Sequence, residues 1–200
     1  MPKPIVVGLI GGMGSGKGVA ATILGQSHSF REFAFGDYVK WYAQDLFDLS
    51  HDALWGPSEK RTPAVREILQ KFGTDCCRHF RPDIWVDKFM DRLDQYIGEG
   101  TDILGLQRST SKTSKKCIVV PDVRFPNEAK ALVDNFEAMN LLIVPETRHY
   151  NDAIKDEQLV HASETSMWDI PQEHIYAKVS NPGTFHEFAR NIHRALEGKI

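Results

Sequence analysis

The chain has only three cysteines in 200 residues, and their placement excludes two common uses of the residue. Cys76 and Cys77 are neighbours and Cys117 stands alone, which is neither a disulfide framework nor a zinc-ligand spacing. They read as ordinary thiols of a reducing compartment. Long apolar runs are also missing: nothing approaches the ~18 consecutive apolar residues of a membrane-spanning helix. The first apolar run is short and leads straight into a glycine-rich turn, so no signal peptide is expected and a cytoplasmic location is. Positive charge is not in excess. With 24 Lys and Arg against 27 Asp and Glu, the net charge of −3 argues against a general nucleic-acid binder. No internal repeat is visible. What remains, at 42% hydrophobic and 26% charged residues, is the composition of one globular domain of ordinary size with room for an inserted lobe.

What is present begins at the N-terminus. The run Ile5-Val6-Val7-Gly8-Leu9-Ile10 is followed by Gly11-Gly12-Met13-Gly14-Ser15-Gly16-Lys17. Strand, glycine-rich turn and helix is the setting in which G-x-x-x-x-G-K becomes a phosphate cradle. Glycines let backbone N–H groups converge on an anion without interference from Cβ. The following helix adds the partial positive charge of its N-terminus. Lys17 then reaches the β- and γ-phosphates as a mobile point charge. One residue departs from the standard motif: Gly18 stands where Ser or Thr supplies a hydroxyl to Mg²⁺. The competing reading is a plain strand-to-helix turn.

Further along, short apolar segments alternate with helical ones. Val19, Ala20, Ile23 and Leu24 make a helical stripe ending near Gly25, and Ser29 to Phe35 alternates as a second strand. A helical segment from Tyr38 to about Asp48 and a loop from Ser50 to Lys60 follow. Thr62-Pro63 starts a helix on which Val65, Leu69, Phe72 and Cys76 share a face, and Pro82-Asp83 opens another carrying Trp85, Phe89 and Leu93. These aromatics suit a core better than a base-stacking platform. The stretch from Glu99 to Lys116, rich in Gly, Ser, Thr and Lys, reads as a mobile loop. Its Lys112, Lys115 and Lys116 are either solvated or anion contacts. Cys117–Val120 and Leu141–Val144 are short buried strands, with a helix bearing Ala129, Leu132, Val133 and Phe136 between them. Ile175–Val179 is the last strand. Asn181-Pro182-Gly183 is a turn, and Thr184 with Glu187 forms a capping box for a terminal helix through Leu196. The alternation predicts a parallel α/β sandwich.

Ligands in such sheets collect at the carboxyl ends of the strands, which singles out Lys17, Asp37, Asp122, Arg124 and Arg148. Asp122 follows an apolar strand, as an acid that holds Mg²⁺ directly or through water should; its alternative role is to cap the next helix. Arg124 can grip a phosphate with its planar fork, or pair with Glu128. Arg148 suits a lid over a transferring phosphoryl group. Arg78 and Arg81 face either a phosphate or solvent. His161 is either a pH-sensitive catalytic group or a structural hydrogen-bond partner. Alone, these residues point to nucleotide-dependent phosphoryl transfer, which asks mainly for positioning and charge neutralisation.

Several stretches resemble bacteriophage deoxynucleoside monophosphate kinases. They are Leu69-Gln70-Lys71-Phe72-Gly73-Thr74-Asp75 with Arg78, Pro82-Asp83-Ile84-Trp85-Val86, Val120 to Ala129, His161-Ala162-Ser163-Glu164, and Ile175 to Thr184. The similarity covers nearly the whole chain, and Asp-Val-Arg-Phe-Pro-Asn-Glu is its most specific part. It implies a three-layer P-loop kinase fold with a parallel five-stranded sheet, a helical monophosphate-binding lobe and a lid. Residues 1–200 would form a single kinase domain, with 37–116 as inserted lobe and loop and 147–163 as lid region. The implied reaction moves the γ-phosphate of ATP to a deoxynucleoside monophosphate, with Mg²⁺, for phage DNA synthesis. The location would then be the cytoplasm of an infected host. Carried over, Gly12, Met13, Gly14, Ser15, Gly16, Lys17 and Gly18 hold ATP, and Lys17, Arg124 and Arg148 are catalytic. Asp37, Asp75, Arg78, Trp85 and Arg124 bind the monophosphate, and Asp122 serves the metal. Two alternatives stay open: a P-loop kinase of another small acceptor, such as a coenzyme precursor, and a catalytically silent nucleotide-binding protein. Neither nucleic acid nor membrane is an expected partner, and spacing does not choose between monomer and homodimer.

Overall fold

The computed structural model describes residues 3–56, 60–99, 116–146 and 161–200. Five parallel strands form one sheet: β1 (Ile5–Ile10), β2 (Arg31–Glu32), β3 (Cys117–Val123), β4 (Met139–Pro145) and β5 (Ala177–Asn181), in the order β2-β3-β1-β4-β5. The central β1 is buried along its whole length, which is why its sequence is a continuous apolar run rather than an alternating one. The chain divides into two compact units, residues 1–33 with 93–200, and Ala34–Arg92.

The first unit holds the sheet. The helix α1 (Lys17–His28) lays Ala20, Ile23 and Leu24 against Val7 and Leu9, and the last long helix adds Phe188 and Ile192 to the same cluster. At Gly8 a different device operates. The buried amide of Asn140 crosses from β4, donating to the carbonyls of Ala129 (3.1 Å) and His174 (2.9 Å). A Cβ on Gly8 would stand 2.1 Å from Asn140 Oδ1, so only glycine fits beside it.

The second unit is helical: α2 (Gly36–Phe47), α3 (His51–Trp55), α4 (Pro63–Gln70) and a π-helical segment Lys71–Arg78. It also holds the first half of α5 (Ile84–Glu99). The first unit also holds α6 (Pro126–Phe136), the single turn α7 (Ala162–Thr165), two short 3-10 helices (Ser166–Asp169 and Gln172–His174) and α8 (Phe185–Ala195). No helix among the described residues is long and apolar enough to cross a membrane.

Six expectations change. The stretch from Ser50 to Lys60, expected as a loop, holds the short helix α3 with Ser50 as its N-cap, and the last strand runs Ala177–Asn181 rather than Ile175–Val179. Only Arg31 and Glu32 of the Ser29–Phe35 stretch pair as a strand; the aromatics Phe30, Phe33 and Phe35 are buried, which produced the alternating pattern without a ladder. The helix α1 continues through Gly25 to His28 and stops at Ser29, which is left-handed at φ 55. The face predicted to end at Cys76 rotates away within the π-helical segment, whose wider turns break the 3.6 period, so Cys76 is exposed and Gly73 is buried instead. At α8 the Thr184 hydroxyl donates directly to Glu187 (2.6 Å) and caps no backbone group.

Candidate active site

The loop between β1 and α1 owes its path to glycines in the left-handed region, Gly14 at φ 75 and Gly16 at φ 104, the latter being the N-cap of α1. The N–H of Ser15 closes the turn on the Gly12 carbonyl (3.2 Å). Ser15 itself is fully buried, its hydroxyl turned under the loop with no hydrogen-bond partner among the described residues. Lys17 folds back over the loop and donates to the carbonyls of Gly11 (2.6 Å) and Gly12 (2.8 Å). Its pKa is lowered to about 8, first by burial and then by the nearby Arg124 charge, against the opposing pull of Glu164 and Asp122. A half-buried ammonium that gives its protons to two carbonyls is poised to exchange them for a better acceptor, such as phosphate oxygen. Gly18 is exposed, and among the described residues nothing beyond its own helix turn lies within 4 Å of where its Cβ would be.

Asp122 lies within β3, near its carboxyl end, while the N-cap of α6 falls at Phe125. The capping alternative for Asp122 is therefore not used. Glu128 caps the helix instead. Its Oε2 accepts from the N–H groups of Arg124 (2.7 Å) and Phe125 (3.1 Å), and the carboxylate is almost fully buried. The guanidinium of Arg124 turns to α7, where Nη1 donates to the Ser163 carbonyl (3.0 Å) and to the Glu164 carboxylate. Burial opposes its charge, but Glu164, Asp122 and Glu128 outweigh that and hold its pKa above the ordinary arginine value. The Arg124 side chain as a whole remains 37% exposed. His161 makes a structural hydrogen bond: its Nδ1 accepts from the Ser163 N–H (3.1 Å) and caps α7, which carries Glu164.

Within the first unit the charges of Arg124 and Asp122 thus act on Lys17, and that of Asp122 acts on Arg124. Arg148 and most of the expected lid, 147–160, lie outside the described residues, as do Lys112 and Lys115. Lys116 is described, and it serves α5: its ammonium donates to the carbonyls of Tyr96 and Ile97 (the latter at 3.1 Å) and sits 4.5 Å from the Tyr96 ring.

The remaining candidates belong to the second unit. Asp37 is nearly buried, accepting from Arg92 Nη1 (2.6 Å) with Lys40 at 3.7 Å. Arg92 also packs 4.6 Å from the Trp41 ring. Trp85 is buried and its indole donates to the Gly73 carbonyl (2.7 Å). Asp75 is exposed, and Arg78 donates to the Pro82 carbonyl (3.3 Å). Arg81 is exposed and paired with Asp87. Sequence reasoning missed Arg92 and Glu164 as ion-pair partners, because their sequence separations of 55 and 40 residues carry no periodic signal.

No protein-family model matches the chain. A protein of Acanthamoeba polyphaga mimivirus, provisionally described as a deoxynucleotide monophosphate kinase, is 35% identical over 133 residues. The match covers 62% of this chain and 66% of that protein, just under two thirds of its length. Among solved structures, a gluconokinase from Sinorhizobium meliloti 1021 aligns over 98% of this chain and 93% of its own, with a TM-score of 0.50 and 13% identity. The protein TT1252 from Thermus thermophilus aligns over 99% of both chains, with a TM-score of 0.52 and 15% identity. The fold is that of a P-loop kinase. At these identities the structural likeness speaks for the fold alone.

Proposed function

We propose that the protein transfers the γ-phosphate of ATP to a deoxynucleoside monophosphate, giving the diphosphate. The observation that carries the reading is Lys17, held over the glycine loop by two carbonyl groups and electrostatically coupled to Asp122 and Arg124 at the neighbouring strand end. Phosphoryl transfer needs cations where charge spreads over the equatorial oxygens, and little else from the protein. Lys17 would meet the β- and γ-phosphates, the N–H groups of Gly12 to Gly18 would cradle them, and Arg124 would meet the transferring group or the acceptor phosphate. Arg148 is the proposed lid arginine. Asp37, Asp75, Arg78 and Trp85 are proposed for the acceptor side, Trp85 as the buried support of the π-helical segment that carries Asp75 and Arg78.

The residues fit Mg²⁺ in one manner. No group of three His, Cys, Asp or Glu that could hold a metal occurs among the described residues, and Gly18 offers no hydroxyl. Mg²⁺ in kinase sites needs only one or two carboxylates beside the nucleotide's phosphates, and Asp122 supplies one. When bound, the ion would neutralise charge on those phosphates.

The acceptor class follows the resemblance of Val120–Ala129 and Pro82–Val86 and is supported by the name of the mimivirus relative. The protein should form ADP from ATP and Mg²⁺ only when a deoxynucleoside monophosphate is present. Incubation with each of the four in turn, ADP being measured, checks it. ADP formation that appears with none of them, or equally without acceptor, overturns the assignment.

A further inference from the structure

The turn Asn181-Pro182-Gly183 follows the last strand, far in sequence from the phosphate loop, yet the side chain of Asn181 reaches it. Its Nδ2 donates to the Ser15 carbonyl at 2.9 Å, and its Oδ1 accepts from the Gly183 N–H at 3.1 Å, so both ends of the amide are fixed. The Asn181 main chain is anchored as well. It pairs with Pro145 at the end of β4, and its carbonyl accepts from the Glu146 N–H (3.0 Å). On the loop side the fit is close: a Cβ at Gly16 would lie 2.4 Å from Asn181 Nδ2 and 3.2 Å from the buried Phe188 ring.

In a planar trans peptide the carbonyl and the next N–H point to opposite sides. Holding the Ser15 carbonyl toward Asn181 therefore turns the Gly16 N–H the other way, away from Asn181. We propose that Asn181 is a positioning residue of the nucleotide site: it sets the Ser15–Gly16 peptide so that the Gly16 N–H is aimed at a phosphate oxygen before any ligand arrives. The left-handed Gly16 would otherwise allow that peptide to flip, since a glycine adopts both signs of φ at little cost. Preorganisation of this kind shows as affinity, because the loop no longer has to be ordered on binding. The inference rests on the reading of the loop as a phosphate cradle.

The test uses the full chain, ATP and two variants, Asn181→Ala and Asn181→Asp. The second is isosteric and keeps the acceptor for Gly183, but presents oxygen instead of N–H to the Ser15 carbonyl. Wild type should bind ATP, with a downfield displacement of the Gly16 amide proton as it acquires a charged acceptor. Both variants should bind about tenfold more weakly, the loss expected for one hydrogen bond at a charged site, and their Gly16 signal should not make that displacement. A merely structural role would lower the melting temperature yet leave the Gly16 displacement intact. Should Asn181→Ala lose its native circular dichroism, Asn181→Asp carries the measurement. A folded variant that binds ATP within twofold of wild type and shows the wild-type displacement overturns the positioning role. Wild type that binds no ATP overturns the cradle reading itself.

Discussion

Lys17 is a cation whose burial has been offset by two carbonyls and by distant carboxylates, and the residue-scale predictions begin there. With its pKa lowered to about 8, part of the Lys17 population is neutral just above that pH. Triphosphate binding favours the ammonium and restores the missing proton. At pH 8.5, calorimetry in buffers of different ionisation enthalpy should therefore report proton uptake on ATP binding, and in Lys17→Arg that uptake should vanish, since the guanidinium is always charged. Equal uptake in both proteins would assign it to another group. Gly8 offers a residue-scale prediction about stability. Asn140 cannot withdraw from a new Cβ, because its amide is tied to Ala129 and His174. Gly8→Ala should cost roughly 3 kcal/mol or more by denaturant unfolding, at the upper end of overpacking effects. At this scale the sequence announced Lys17, Asp122 and Arg124 through motif and strand-end position. It was silent on the partners of Asn140, Glu164 and Asn181, which tertiary approach alone sets.

Between residues and molecule stand the elements, and the π-helical segment Lys71–Arg78 is the most informative of them. Its buried Gly73 lets α2 approach: a Cβ there would lie 2.8 Å from Val39 Cγ1 and 3.3 Å from Cγ2. A valine has no flexible end to move aside. Gly73→Ala should destabilise by about 1–3 kcal/mol. In the Val39→Ala background, which removes both methyls, the same change should become neutral or stabilising by up to ~1 kcal/mol, as helical Gly→Ala changes are. A double-mutant cycle of denaturant midpoints reads this directly, and additive effects would reject the contact. The same element explains why the helix from Thr62 was foreseen but its face was not. Helix start signals are local, whereas a π-turn changes the period of everything after it. Continuous apolar runs made β1, β3 and β4 legible because both their faces are covered; β2 was misjudged in extent because buried aromatics imitate alternation.

For the whole molecule, linkage joins stability to the site. The unfolded chain holds the Lys17 proton up to the ordinary lysine value of 10.5, the folded chain only to about 8. Between these values the unfolded state binds more protons, so this group makes folding more favourable as pH rises; below about pH 8 the penalty of burying its charge is fully present. Other groups titrate in the same window, so the comparison is with Lys17→Met, which keeps the stem and lacks the amine. The melting temperature of wild type should gain on that of the variant between pH 8 and pH 10. ATP acts in the opposite sense. At a hundred times its dissociation constant it should stabilise wild type by ~2.7 kcal/mol at any pH where Lys17 is charged. In a chain of 200 residues that is a rise of about 5–10 °C. The rise should shrink above pH 8 as the ammonium is lost, and Lys17→Met should show little of it at any pH. A wild-type rise that keeps its size up to pH 10 would mean that the loop holds its nucleotide without the Lys17 charge.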